Sequence, residues 1–239
     1  MADARERLDA IAAVYDAQAD YDGVLTGHAW ALLRPRIAPG ARVLEMGCSS
    51  GVMTRLLAAH VRELWVVDGS RAYLDSVAAA LGRADVRFEH ALFEEYAPPV
   101  RFDAIVMARA LEHLVDPRPT LRRVAGWLAD GGELHVMVPN ARSFHRLIGV
   151  AMGLLPAPDA LNERDVAFGH HRVYDPTTLR GELEGAGLEV VEEGGSSLKF
   201  LANAQMHALD PKLWDALRIV GAGFPGNAAE IYARCRRAR

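Results

Sequence analysis

One stretch constrains this chain more than any other. Val43-Leu44-Glu45-Met46 is a short apolar run that breaks into the small-residue loop Gly47-Cys48-Ser49-Ser50-Gly51, and Val66-Val67-Asp68 follows further along. A glycine loop followed roughly twenty residues later by a strand-ending acid is the spacing of a mononucleotide-binding βαβ unit. The reading is geometric: a buried parallel strand ends at Met46, Gly47 lets the backbone turn sharply, and Gly51 lets the next helix pack close to the sheet. Asp68 would then hold two ribose hydroxyls as a paired acceptor.

Two ligands fit this outline, a dinucleotide and S-adenosylmethionine. A dinucleotide wants its diphosphate on a helix N-terminus and usually a Gly-x-Gly-x-x-Gly loop. Here the loop has two glycines and follows the acidic Glu45. A carboxylate repels diphosphate but tolerates a cationic sulfonium, so the sulfonium cofactor is preferred.

At these residues the chain resembles the class I S-adenosylmethionine-dependent methyltransferases of the small-molecule type, whose first motif reads acidic-x-Gly-x-Gly-x-Gly. Leu92-Phe93-Glu94-Glu95 looks like the adenine-contacting segment, Phe102-Asp103-Ala104-Ile105-Val106-Met107 like the fourth strand, and Leu111-Glu112-His113-Leu114 like the stretch after it. Gly131-Gly132-Glu133-Leu134 resembles the turn into strand five, and Ser49 stands where the middle glycine usually falls. The resemblance implies an α/β, Rossmann-like, seven-stranded and mostly parallel sheet with helices on both faces and a small helical cap. It implies a cofactor site at Glu45, Gly47, Cys48, Ser49, Gly51, Asp68, Gly69, Ser70, Leu92, Phe93, Ala108 and Arg109. The backbone at Gly47 and around Ala108 would contact the methionine end, with Leu92 and Phe93 on either side of the adenine. Tyr15 or Tyr21 is a candidate to close over the methionine carboxylate, although helix packing is the preferred reading of both.

Composition narrows the partners. A chain of 239 residues, 51% hydrophobic, is long enough for one filled α/β domain over 1–239. The net charge of −4, with basic residues scattered apart from Arg234-Cys235-Arg236-Arg237-Ala238-Arg239, argues against a nucleic-acid groove. That arginine tail reads as a solvated end. Two cysteines, Cys48 and Cys235, suggest no disulfide framework and a cytoplasmic protein. No run approaches the length of a membrane helix, and a monomer or homodimer is expected.

Apolar spacing predicts an N-terminal helical segment within 1–40, stopped by Pro39-Gly40. Strands follow at 42–46, 63–67, 86–89, 102–107 and 133–138, with helices near 52–59, 70–81 and 119–129; later strands fall near 188–192 and 230–234. By resemblance the last strand runs antiparallel. Two segments exceed the minimal fold, 140–172 and 196–227, the second carrying Asn203, Gln205 and His207. Both fall at the carboxyl ends of strands and read as cap insertions over an acceptor.

Methyl transfer is an in-line displacement for which the protein aligns the groups, excludes water and, for a hydroxyl nucleophile, supplies a base. His170, His113 and His171 are the catalytic candidates, in that order of preference. Adjacent residues on an extended segment face opposite ways, so one of the His170-His171 pair points inward, and flexible Gly169 favours His170. Arg172 and Tyr174 either orient the acceptor or tie the lid down. Glu112-His113 with a later histidine resembles part of the Glu-x-x-Glu-His signature of magnesium-dependent methyltransferases. Arg109 stands where the first glutamate should be, and a guanidinium is wrong beside a divalent cation, so no metal is assigned.

The expected activity is O-methylation of a small quinone, sugar or secondary-metabolite hydroxyl. Methylation of a small amine or peptide comes next, then a macromolecular methyltransferase acting on RNA or protein. A nicotinamide oxidoreductase and an inactive cofactor-binding partner are the distant readings.

Overall fold

The computed structural model describes residues 2–238. Arg239, the last residue of the arginine tail, lies outside them. The N-terminal helical segment divides into α1 (Ala2–Ala12) and α2 (Tyr21–Leu33). Two aspartates separate them: Asp16 accepts from the Gln18 amide, and Asp20 caps α2 by accepting from the Tyr21 amide.

Strand and helix then alternate as β1 (Arg42–Met46), α3 (Val52–Ala58), β2 (Glu63–Asp68), α4 (Arg71–Leu81), β3 (Val86–His90), β4 (Phe102–Ala108), α5 (Pro117–Trp127) and β5 (Leu128–Pro139). α6 (Phe144–Ala151) and α7 (Glu163–Ala167) occupy the first insertion. α8 (Pro176–Gly185) and β6 (Leu188–Ser196) follow, then α9 (Asn203–His207) and α10 (Pro211–Gly221) in the second insertion, and finally β7 (Glu230–Arg237).

The seven strands form one sheet in the order β3-β2-β1-β4-β5-β7-β6. Five strands run parallel, and β7 inserts antiparallel to both β5 and β6. The order reverses between β1 and β4, and that reversal opens a crevice at the carboxyl ends of the strands.

Side chains alternate across each strand, so β1 feeds both cores. Leu44 and Met46 join the apolar layer with Phe102, Ile105, Leu121 and Leu134. Val43 joins the opposite layer with Met53, Leu57, Leu74 and Val77. A third, smaller cluster of Tyr21, Leu25, Met206 and Ala229, flanked by Trp214 and Leu217, seats the second insertion on α2.

Three expectations change. Gly51, at φ +79°, serves the helices rather than the sheet: a Cβ there would meet both Val77 methyls of α4 at 2.8 Å. The arginine tail is exposed from Arg236 onward but is not a loose end, because Arg234 and Arg236 belong to β7 and pair with Glu133, while Arg237 reaches Asp130. β5 starts five residues earlier than its apolar run, since the turn Asp130-Gly131-Gly132 lies within it.

Glu45 shares its face with Val43 and lies beneath α3, fully buried, with neither carboxylate oxygen hydrogen-bonded. Burial, reinforced by the Asp68 carboxylate, pushes it up to about 8 from an ordinary 4.5, against the pull of the Thr54 hydroxyl. The raised value means that the fold favours the neutral acid. Its stabilising contribution is complete below about pH 4.5 and is lost as pH rises through about 8. Glu45→Gln should therefore raise the thermal midpoint more at pH 8.5 than at pH 5, and an equal shift at both values would contradict a neutral Glu45.

Candidate active site

The carboxyl ends of β1, β2, β4 and β5 meet in one cavity of about 900 Å³. Its cofactor side is built by the loop after β1. The Gly47 amide, at φ +89°, donates to the Val67 carbonyl at 2.9 Å, and the Gly51 amide donates to Cys48 at 2.8 Å. Ser49 keeps a positive φ of +46°, so serine adopts the left-handed turn that the middle glycine would supply. The Ser49 and Ser50 hydroxyls are buried without partners.

Asp68 fastens the loop. One carboxylate oxygen accepts from the Cys48 amide and the other from the Ser70 amide, each at 2.8 Å. Burial raises its pKa against these bonds, and its carboxylate lines the cavity. Leu92 and Phe93 line the same wall, with the Phe93 ring tip 3.5 Å from where a Gly47 Cβ would stand. α1 covers this side through Leu8, which a Cβ on Gly69 would meet at 2.5 Å.

Of the expected cofactor residues, Gly47, Cys48, Ser49, Asp68, Gly69, Leu92, Phe93, Ala108 and Arg109 line the cavity. Glu45, Gly51 and Ser70 are not among its lining residues. Ser70 caps α4 and donates to Asp9, and Glu45 lies under α3. Repulsion of diphosphate by Glu45 therefore does not discriminate between cofactors.

Arg109 occupies the junction between the two sides. It has φ +55° and its amide donates to the Met137 carbonyl at 2.7 Å. Its guanidinium pairs with Asp22 at 3.1 Å and Glu230 at 3.3 Å, and donates to the Asp22 carbonyl and the Thr26 hydroxyl. Burial would raise Asp22, but Arg109, the Tyr15 hydroxyl, Asn203 and Arg164 together hold its carboxyl well below the usual range. Tyr15 thus faces the cavity as a bonded member of this network, whereas Tyr21 is packed in the α2 cluster.

Beyond Arg109 lies a corner of titratable groups. A short 3-10 turn, Leu111–His113, carries Glu112 and His113, and the chain after α7 brings in His170. His113 and His170 meet edge to face with ring centres 4.7 Å apart. His170 Nδ1 lies 3.1 Å from Asp165, which is in turn paired with the buried Arg146 at 3.2 Å. Burial pulls His113 down to about 3, with His170 adding to the effect. On His170, burial also lowers the pKa, but Asp165 and Glu112 outweigh it and raise the net value. Glu112 has no exposed surface and no partner on either oxygen, and burial pushes it up to about 7.

One ligand atom from each of Glu112, His113 and His170 lies within 4.8 Å of the others. Arg109, drawn off to Asp22 and Glu230, is held in ion pairs of its own. The electrostatic objection to a cation at this corner is correspondingly weaker.

The remaining candidates separate by exposure. His171 is exposed but also lines the cavity, and its amide donates to the Glu112 carbonyl at 2.9 Å. Arg172 ties the lid to the Leu114 and Val115 carbonyls rather than through an ion pair, and neither it nor Tyr174 lines the cavity. In the second insertion Asn203 is buried in the cavity wall, while Gln205 and His207 face outward. Sequence reasoning missed Asp22, Asp165, Lys199 and Glu230. Only Asp165 had a local signal, the Asn162-x-x-Asp165 capping box that opens α7. No helix among the described residues is long and apolar enough to cross a membrane.

Comparison with known proteins agrees with this layout. A family model described as a methyltransferase domain matches residues 19–193, a span that includes the loop after β1, Asp68, Leu92, Phe93 and Arg109 and stops short of Lys199 and Glu230. An uncharacterised methyltransferase of Mycobacterium tuberculosis is 31% identical over 134 residues, 53% of this chain and 68% of its own length. A ubiquinone biosynthesis O-methyltransferase of Aromatoleum aromaticum is 29% identical over 168 residues, 66% of this chain and 68% of that one. The N-methyltransferase NodS of Bradyrhizobium japonicum, solved with S-adenosylhomocysteine, shares the fold with a TM-score of 0.58 at 17% identity, over 89% of this chain and 86% of that one. The chain therefore belongs to the methyltransferase-domain family of class I S-adenosylmethionine-dependent methyltransferases, and it is an enzyme of that cofactor.

Proposed function

We propose that this methyltransferase acts on a hydroxyl of a small-molecule acceptor, with His170 as the general base. The observation that carries the reading is the His170–Asp165 contact in a cavity shared with the cofactor loop. S-adenosylmethionine, when bound, supplies an electrophilic methyl group on a sulfonium. The chain's residues hold it and prepare the nucleophile. Asp68 accepts from the ribose hydroxyls with the lone pairs left over from Cys48 and Ser70. Leu92 and Phe93 sandwich the adenine, and the backbone at Gly47 and Ala108 receives the methionine end. The unpartnered Ser49 and Ser50 hydroxyls give the loop spare polar capacity for such a ligand.

At the acceptor, Asp165 fixes the proton of His170 on Nδ1 and leaves Nε2 free to take the hydroxyl proton as attack proceeds. His113, held neutral by burial, and the bare Glu112 carboxyl wall the same corner. An acceptor amine would need no such base, only arrival in its neutral form, and the paired His170 therefore favours the hydroxyl.

A second reading is favoured by the same corner. Glu112, His113 and His170 could hold a divalent cation: Glu112 offers two unbonded oxygens, and Asp165 turns His170 Nε2 outward as a carboxylate orients a liganding histidine. Such an ion would lower the pKa of an acceptor hydroxyl bound beside it.

Three outcomes are expected. Asp68→Ala should weaken S-adenosylhomocysteine binding by about 1.5–3 kcal/mol in calorimetry, and unchanged affinity would remove Asp68 from the ribose site. His170→Ala should lower turnover by roughly 10²–10⁴ while cofactor affinity is kept. Because His170 is raised and works in its neutral form, the acid limb of the wild-type rate profile should lie above the ordinary imidazole range; full activity in the variant rules out the base. Exhaustive chelation should leave turnover intact, whereas loss restored by added magnesium or manganese would select the metal reading.

A further inference from the structure

The chain carries 27 basic residues, and only two of them, Lys199 and Lys212, are lysines. Everywhere that a buried or half-buried cation serves as a tie, arginine is used: Arg36 to Glu192, Arg109 to Asp22 and Glu230, Arg146 to Asp165. The planar fork of arginine suits such ties, whereas lysine is a compact point charge with three rotatable donors. A lone lysine deep in the cavity departs from the pattern of the whole sequence.

Lys199 lies between β6 and α9, is 9% exposed and lines the cavity. Its carbonyl accepts from the His145 amide at 3.0 Å, which fixes the segment against α6 of the other insertion. Its ammonium donates to Asn203 Oδ1 and to no other group among the described residues. No carboxylate among them stands within ion-pair distance of Nζ. The charged groups around it are Asp20, Asp22, Glu230, Arg109 and Arg164, with the His145 imidazole adjoining. Asp22 is engaged by Arg109, Arg164, Tyr15 and Asn203, and Asp20 by Arg164 and Asn203, while Glu230 meets Arg109 through Oε1 and keeps Oε2 without a hydrogen bond.

An ammonium buried with donors to spare is costly unless an anion completes it. Burial pulls Lys199 down only to about 8, so it enters the neutral range largely charged. Asn203 holds it in place, with its amide nitrogen on Asp22 and Asp20 and its oxygen on Nζ. The spare donors are left for whatever enters the cavity.

We infer that Lys199, positioned by Asn203, is the recognition site for a carboxylate of the acceptor. This rests on the small-molecule reading above and narrows it to acidic acceptors. The cofactor also carries a carboxylate, on its amino-acid end. The groups around Lys199, namely Asn203, His145, Asp20, Asp22, Glu230, Arg109 and Arg164, belong to the two insertions, the α2 network and the ends of β4 and β7, none to the Gly47–Gly51 loop, and the acceptor is therefore its assigned ligand.

With only two lysines, the side chain can be watched directly. Protein labelled with [ε-¹³C]lysine and saturated with S-adenosylhomocysteine gives two signals, assigned with Lys212→Arg, whose shifts report ionisation. The probes are 4-hydroxybenzoate, 3-hydroxypropanoate and glucuronate, each beside its own methyl ester. At least one carboxylate should move the Lys199 titration to higher pH where its ester does not, and should bind roughly ten- to a hundredfold tighter than that ester. In Lys199→Met that preference should vanish while S-adenosylhomocysteine affinity is unchanged.

A wild type that never prefers an acid to its ester overturns the inference. So does a Lys199 titration that rises on adding S-adenosylhomocysteine alone, with Lys199→Met losing cofactor affinity, since the charge then belongs to the cofactor. Loss of turnover in His170→Ala leaves these binding readouts untouched, and an absence of S-adenosylhomocysteine binding would count against the function instead.

Discussion

Arg109 sits at the end of β4 with a left-handed backbone and a guanidinium shared between Asp22 of α2 and Glu230 of β7. A half-buried cation of this kind is favoured by having its carboxylates in place. The requirement fixes where α2 lies against the sheet, and α2 in turn carries the apolar cluster on which the second insertion rests. Removing either carboxylate would leave the guanidinium with a single ion-pair partner, so the junction between cofactor side and acceptor side is set by electrostatics and sealed by packing.

The two sides are built differently. The cofactor side is backbone and small side chains: amides of Cys48 and Ser70 on Asp68, glycines at positive φ, and apolar rings laid over them. Such a surface depends on local chain geometry. The acceptor side is assembled from residues far apart in sequence, with Asp22, Glu112, His170, Lys199 and Glu230 reaching one cavity from five different segments. Its groups are charged or titratable, and their surroundings move their pKa values apart: burial lowers His113 and raises Glu112, while the neighbouring Asp165 and Glu112 raise His170 against burial. Groups displaced in opposite directions are what proton transfer requires.

That difference explains what could be read from the sequence. β1, its loop, β2 and Asp68 follow from a periodic pattern and a fixed spacing, and the strand assignments around them hold to within a residue or two. The twist of the reading at Glu45 came from strand alternation: one residue's shift of face places the carboxylate under α3 instead of in the cavity. His170 is half-buried and His171 exposed, and both line the cavity, so alternation along the segment does not separate them there. Asp22, Lys199 and Glu230 could not be found in that way. Their meeting depends on how α2, the second insertion and β7 pack in three dimensions, and no spacing in the sequence records it. The arginine tail shows the same limit, since its residues become strand only when β5 and β6 are available to pair with it.

The account turns on the cofactor's reactive end facing the corner of Glu112, His113 and His170. A crystal structure of the S-adenosylhomocysteine complex measures this directly. The account predicts the adenosine between Leu92 and Phe93, the ribose hydroxyls on Asp68, and the sulfur turned toward His170, with room for an acceptor between sulfur and Nε2. A sulfur turned away from that corner, or a cofactor amino-acid chain filling it, would contradict the account.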